Sequence, residues 1–344
     1  MNDDSRVLVI GASAGGFEAL RTILNGLPAD LNAAVLIVLH TQSLRNINFI
    51  KSMQQSSNLK LQFAENGAAL NLGVVYFAIR DCHLIIREGK TFLSKGPTEN
   101  LARPAIDPLF RTAAAAYGNR VIGIVLSGML SDGTSGLYAI KACNGLIGVQ
   151  DPNEAAYPEM PVFALRSLTP DFCCGISRMA ETILKQMAKP LPPAIEIPKH
   201  IKQEAGLSYS TASNIELENE LGSKVALGCP DCGGPLWRMN NDEEIDRYRC
   251  HTGHGYTDEA LEHSKQKKIE ESLWIALRVL EEKLNLHKRA LLKYENGKSK
   301  FLLESTRKKI KETQENISTI RQAINIEPPS PDLNAFPLNH SATC

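Results

Sequence analysis

Three short apolar runs, each closed by a polar turn, set the limits on what this chain can fold into. Val7 to Ile10 runs into GASAGG, Ala34 to Leu39 into His40, and Val121 to Leu126 into SGMLSDGTSG. Continuous β-branched and aliphatic runs without polar alternation mark strands buried on both faces, as in a parallel sheet. Ala/Gly-rich stretches with helical spacing alternate with these runs. Residues 6 to about 186 therefore read as repeated βα units, a doubly wound, mostly parallel α/β sheet. The strand ends of such a sheet share one carboxyl edge, where open α/β sheets place their ligands. Ser13, His40 and Asp132 all fall at that edge.

The first βα unit is the clearest. After the strand and the glycine turn, Phe17, Leu20, Leu24 and Leu27 recur at helical spacing until Gly26 and Pro28 stop the helix. Ser13 thus stands between a strand end and a helix start, where backbone amides and the helix dipole favour developing negative charge. On this loop alone, a nucleophile turn and a phosphate-binding turn fit equally. The pattern G-x-S-x-G-G has serine where the dinucleotide fingerprint has its second glycine, and it lacks the P-loop lysine. The other two residues separate the readings. A neutral His40 imidazole can take the serine proton and return it to a leaving group. Asp132, in a turn flanked by Gly128, Gly133 and Gly136, is the acid available to orient that imidazole. The order Ser, His, Asp differs from that of α/β-hydrolases, but triads are defined by geometry. A serine hydrolase is the leading reading. A nucleotide-binding α/β protein and a catalytically silent signalling adaptor are the alternatives. In RPAIDPLF, Asp107 suits a helix N-cap and Pro108 the first helical position. Arg103 before it suits a neighbouring carboxylate or an acidic substrate, and His83 reads as structural.

The 344 residues suffice for more than one domain. Lys+Arg and Asp+Glu balance at 38 each, so net charge points to neither nucleic acid nor a membrane surface. The acidic start MNDDSRVLVIGAS lacks the basic and long apolar regions of a signal peptide, and no apolar run approaches a bilayer span. Cys82, Cys143, Cys173, Cys174 and Cys344 show no framework spacing, which implies a reducing compartment. A cytoplasmic location without membrane insertion is expected.

Composition divides the chain into a catalytic domain (1–188), a linker (189–226), a Cys/His module (227–257), a helical hairpin (258–326) and a disordered tail (327–344). In the module, Cys229-x2-Cys232 and Cys250-x3-His254 offer three thiolates and one imidazole. That set closes a tetrahedral zinc site of the zinc-ribbon kind and leaves no open position, so the expected Zn2+ is structural. His251 competes as the fourth ligand, but the x3 spacing favours His254. Arg238, Arg247 and Arg249 are interrupted by Asp242, Glu243, Glu244 and Asp246, which argues against a nucleic-acid surface. In the hairpin, Leu273, Leu277, Leu280, Leu284, His287, Leu291 and Tyr294 step by three and four. After Asn296-Gly297 the series resumes at Leu303, Thr306, Ile310, Thr313, Ile317, Ile320 and Ile324. The hairpin can pack on itself or on the zinc module, or offer a surface to a partner protein or to a second copy.

GASAGG, the strand ending in His40, RPAIDPLF (103–110), GMLSDGTSGL (128–137) and QDPNEAAYPEMP (150–161) together resemble the catalytic domain of the chemotaxis-type protein-glutamate methylesterases, the CheB family. The resemblance covers residues 6 to about 186. It implies Ser13 as nucleophile, His40 as general base and then acid, Asp132 as orienting carboxylate, and the backbone N–H of Met129 in the oxyanion hole, with no catalytic cofactor. It also implies the substrate, a methyl ester on a glutamate side chain of a methylated receptor or related signalling protein, and in some members a glutamine amide. Two features depart from the family. With its first catalytic strand starting at Arg6, the chain is expected to lack the receiver domain of phosphorelay-coupled members, and Ile79-Arg80 stands where a Pro-Pro-like turn is common. A similar Cys/His tail occurs in receiver-less relatives, where the resemblance assigns it no role.

Overall fold

The computed structural model describes residues 4–40, 47–209, 215–239, 245–295 and 300–324. Its first half alternates strand and helix: β1 (Arg6–Ala12), α1 (Gly16–Gly26), β2 (Ala33–Leu39), α2 (Ile47–Gln54), β3 (Lys60–Phe63) and β4 (Val74–Phe77). An antiparallel pair, β5 (His83–Arg87) and β6 (Lys90–Ser94), precedes α3 (Ile106–Tyr117), β7 (Val121–Val125), α4 (Thr134–Ala142), β8 (Leu146–Gln150), α5 (Glu159–Ser167), β9 (Phe172–Cys174) and α6 (Ile176–Met187). Seven of these strands form one parallel sheet in the order β3-β4-β2-β1-β7-β8-β9.

The apolar runs become the central strands because they are buried on both faces. Val7 and Val9 of β1 pack with Leu109 and Phe110 of α3 and Ile140 of α4, while Leu8 and Ile10 pack with Leu20 and Ile23 of α1 and Ile183 of α6. Strand order reverses between β1 and β7, so the crevice at their carboxyl ends is the topological switch point of the sheet.

Residues 189–226, expected as a linker, carry α7 (Lys199–Tyr209), α8 (Ile215–Leu221) and most of β10 (Gly222–Gly228). β10 joins β11 (Pro235–Met239), β12 (Arg247–Cys250) and β13 (Gly255–Thr257) in an antiparallel sheet that contains the Cys/His module. The module is therefore larger than its cysteine spacing suggests, and it shares one compact unit with the parallel sheet through Leu261.

Buried charges line the seam between the two sheets. Arg111 of α3 bonds Glu99 at 2.8 Å, Arg247 grips Glu204 of α7 at 2.8 and 3.0 Å, and Arg249 reaches Glu99 at 3.3 Å. Burial would raise the Glu99 carboxyl, but Arg111 and Arg249 outweigh it and hold it down to about 2. Glu218 of α8, 1% exposed and 3.5 Å from Arg249, is instead pushed up to about 7, chiefly by burial. The folded state thus favours the neutral form of Glu218. That contribution is fully present below the ordinary glutamate pKa and is lost as pH rises through 7. Glu218→Gln is expected to remove it: between pH 5 and 8 the wild type should lose about 2.5 kcal/mol relative to the variant. Urea melts at the two pH values read the difference, and parallel curves would refute it.

The second unit starts at Glu262. It contains most of α9 (Asp258–Glu295) together with α10 (Lys300–Ile324). Every seam position expected in α9 and α10 is buried or half-buried. Arg321 pairs with Glu281 at 2.8 Å and Arg307 with Glu295 at 3.7 Å, which sets the two helices antiparallel. The seam threonines are accommodated because their hydroxyls bond back into their own helix, Thr306 to Leu302 O at 2.8 Å and Thr313 to Lys309 O at 2.7 Å. Asn296-Gly297 and the expected disordered tail lie outside the described residues. Among the described residues, no helix is long and apolar enough to cross a membrane. Cys82, Cys143 and Cys174 are buried free thiols.

Candidate active site and metal cluster

Register aligns the ends of β1 and β2. Ala12 pairs with Leu39, and the His40 N–H donates to Ala12 O at 3.0 Å, so Ser13 and His40 leave adjacent strands at one level. On the other side, the Ser13 N–H donates to Ser127 O at 2.9 Å, which ties it to the loop after β7. Ser13 is half-buried. The chain turns into α1 through Gly15, whose φ of 74° lies in the left-handed region that favours glycine.

That loop after β7 brings Asp132 to His40. Nε2 of His40 lies 3.1 Å from Asp132 Oδ2, within ion-pair range but off the axis of a hydrogen bond. Asp132 is 2% exposed and densely held: it accepts the N–H of Ile106 at 2.7 Å, the N–H of Asp107 at 3.2 Å and the Asn100 side-chain amide at 3.0 Å. The carboxylate therefore sits at the N-terminus of α3, where free amides and the dipole stabilise its charge.

Asp107 does not cap its own helix. The residue before α3 is Ala105, and Asp107 instead accepts the N–H groups of Gly133 and Gly136 at 3.0 and 2.7 Å, at the start of α4. Each helix start is thus capped by an aspartate from the other: Asp132 serves α3 and Asp107 serves α4. Burial, and next the Asp132 charge, push the Asp107 carboxyl up to about 7. The Asn100 amide stands between the two acids, donating to Asp107 Oδ2 at 2.7 Å and to Asp132 Oδ1 at 3.0 Å.

Met129 follows Gly128, whose N–H donates to Tyr157 O at 2.9 Å, and precedes Leu130, whose N–H donates to Glu159 at 2.8 Å. The Met129 side chain is half exposed at 51%. Gly128 has no room for a side chain: a Cβ there would lie 2.7 Å from Ser13 Cβ and would collide with the Met160 sulfur. Gly128→Ala is expected to displace Ser13 and lower turnover about 100-fold, the cost of an ångström-scale misplacement. Wild-type kinetics in that variant would contradict the packing argument.

Arg103 binds Asp81 at 2.6 and 2.9 Å and Gly96 O at 2.9 Å, so it holds a neighbouring carboxylate. His83 is buried between Pro97 O, 2.8 Å from Nε2, and the Ala105 N–H, which donates to Nδ1 at 3.1 Å. It is structural as expected, and burial pushes its pKa down. Sequence reading missed Asn100 and Ser127. Ser127 Oγ donates to Ala14 O at 2.7 Å and accepts the Tyr157 N–H at 3.0 Å, bracing the Ser13 turn. Neither residue carries a local sequence signature.

The family model described as CheB methylesterase matches residues 8–183, just over half of the chain, and the match contains Ser13, His40, Met129 and Asp132. The chain belongs to the CheB methylesterase family. A Leptospira interrogans protein named "Putative protein-glutamate methylesterase/protein-glutamine glutaminase" is 37% identical over 179 residues, 52% of this chain and 93% of that protein. A Methanosarcina mazei protein-glutamate methylesterase/protein-glutamine glutaminase is 36% identical over 187 residues, and the chain spans about half (51%) of its length. The crystal structure of the Thermotoga maritima CheB methylesterase catalytic domain superposes with a TM-score of 0.51 at 28% identity, covering 53% of this chain and 98% of that domain.

The CheB match ends before the Cys/His module, so the module rests on its own geometry. The ligand atoms of Cys229, Cys232, Cys250 and His254 lie within 4.8 Å of one another and can hold a metal ion. Around a tetrahedral zinc with bonds of about 2.3 Å, thiolates stand about 3.8 Å apart. Cys232 and Cys250 Sγ are separated by 3.7 Å, and His254 Nδ1 lies 3.7 Å from Cys229 Sγ and 3.4 Å from Cys250 Sγ. The donor set fits the ion. His251 is outside the cluster, its ring set against Gly234.

Proposed function

We propose that this CheB-family chain is a protein-glutamate methylesterase that uses Ser13, His40 and Asp132. The observation that carries the reading is the His40–Asp132 contact at the switch point of the sheet, one strand away from Ser13. Ser13 Oγ attacks the ester carbonyl while the His40 nitrogen not turned to Asp132 takes its proton. The tetrahedral oxyanion accepts the Met129 N–H, a donor typically worth about 3–4 kcal/mol in such a site. Collapse breaks the carbon–methoxy bond, and His40 protonates the departing methanol. Water, deprotonated by His40, then attacks the acyl-enzyme and frees the glutamate carboxylate and Ser13. A glutamine amide would follow the same course with ammonia as leaving group. The substrate on this reading is a methylated receptor or related signalling protein presented in the cytoplasm; the relatives' names support the glutamate-ester and glutamine-amide chemistry. The Cys/His cluster holds a structural Zn2+: four protein donors leave no position for substrate.

Methanol release from a methylated receptor fragment tests the reading. The wild type is expected to turn over repeatedly. Stoichiometric binding without methanol release would favour a silent adaptor, and a melting shift with nucleotide in place of turnover would favour a nucleotide-binding protein.

A further inference from the structure

The Asn100 side chain hydrogen-bonds both Asp132 and the Cys/His module. Its amide nitrogen donates to Asp132 and Asp107, and its Oδ1 accepts the Thr257 N–H from β13 at 3.0 Å. Its own N–H donates to Gly255 O at 2.9 Å. The side chain is 6% exposed, so no solvent replaces these partners. Its backbone is left-handed, φ 48°, as is that of Leu101 at 64°, a conformation that non-glycine residues adopt only when their surroundings hold them there. A second contact runs parallel to the first: Ser131, next to Asp132, shares a 2.6 Å hydrogen bond with Thr257 Oγ1. Strand β13 begins at the residue after His254, so the strand that grips Asn100 grows directly out of the metal cluster.

We propose that Asn100 is a positioning residue for Asp132, and that the Cys/His module, through the backbone of Gly255 and Thr257, holds Asn100 in the conformation that does so. The proposal rests on the methylesterase reading for its kinetic consequence alone; the physical coupling stands on the hydrogen bonds. An amide suits this place because it gives one N–H to each carboxylate while offering a single acceptor to the module. Losing the module leaves Oδ1 without its donor and the left-handed backbone without its clamp. The amide is then free to leave Asp132, and Asp132 to turn from His40. Metal loading would thereby set the fraction of molecules with an assembled triad.

The test uses the full chain. Asn100→Gly keeps the left-handed backbone accessible while deleting the amide, and is expected to lower kcat about 100-fold with KM unchanged, since Asn100 acts on Asp132 and not on substrate. Treating the wild type with a zinc chelator is expected to give a loss of the same order, and treating Asn100→Gly to add little, because the two act through one residue. Thr257→Pro deletes the N–H given to Asn100 with all four metal donors retained, and should reproduce the kcat loss. It keeps the question open to decision if chelation unfolds more than the module. Ring resonances of His40, from protein with 15N-labelled histidine, give a readout besides activity: chelation should shift them in the wild type and leave them unmoved in Asn100→Gly. Wild-type kinetics in Asn100→Gly, or a raised KM with unchanged kcat, would overturn the positioning role. A chelated wild type with unchanged His40 signals, or losses that add, would overturn the module's part. If the wild type releases no methanol, it is the esterase reading that fails, and the His40 resonances still decide the coupling.

Discussion

Alanine at Ser13 is expected to lower kcat for methanol release by about 10⁵- to 10⁶-fold, and alanine at His40 by a similar factor, with the double variant little worse than either. On the proposed mechanism nucleophile and base act as a unit: with either gone, only the Met129 amide and substrate binding would remain. Asn at Asp132 is expected to cost less, about 10⁴-fold, because the imidazole can still abstract the proton from a minority orientation. Asp132 carries a second duty that the other two do not. It accepts the N–H groups of Ile106 and Asp107 at the start of α3, so Asp132→Ala also removes a helix cap worth about 1 kcal/mol and lowers the melting temperature by a few degrees. Ser13 Oγ caps nothing, and Ser13→Ala should melt as the wild type does. Progress curves and calorimetry on the same preparations separate the two effects. Equal melting temperatures for Asp132→Ala and Ser13→Ala would show that the cap carries no weight. Turnover in all three variants would remove the triad.

The parts of this molecule that were readable from its sequence are those where one physical effect dominates. Strands β1, β2 and β7 are buried on both faces, so hydrophobicity alone marks them, and the sheet edge follows from their ends. The hairpin is readable for the same reason, since its seam repeats over enough turns to outweigh the His and Thr within it. Helix α7 falls in a segment that reads as linker, because its buried face hides from that signal. Ile201, Glu204, Ala205 and Ser208 keep helical spacing and are all buried, yet two of the four are polar. Glu204 is accepted inside only because Arg247 and Arg111 meet it there, and nothing near it in sequence announces those partners. Asp107 shows a subtler limit. Its position before Pro108 looks like a cap for its own helix, while the fold uses it to cap α4, a choice set by the approach of two loops distant in sequence. Asn100 was invisible for the same reason, as both its acids and its module contacts are tertiary.

Serine at Cys250 is expected to abolish metal binding and unfold the antiparallel sheet of residues 222–257, the second large effect. The module's own apolar cluster is small: Leu236, Tyr256, Ala260 and Leu261 are its main members besides the two buried cysteines Cys229 and Cys250. A core of that size falls short of the conformational entropy of roughly 30 ordered residues, at about 1–2 kcal/mol each for the backbone alone. Structural zinc binding, roughly 10–16 kcal/mol in isolated fingers, is of the size needed to close much of that gap. The buried ions along the seam make the transition steep. Once β12 is lost, Glu204 and Glu99 lose Arg247 and Arg249, and removing one partner from a buried pair typically costs about 3–5 kcal/mol. Hydrogen exchange should therefore show protection lost together in β11, β12 and α7, while β1, β2 and β7, with their own two-sided core, keep theirs. Retained protection in β12 of Cys250→Ser, with no metal in the preparation, would mean that the charge network holds the module by itself and that the four donors serve some end other than folding.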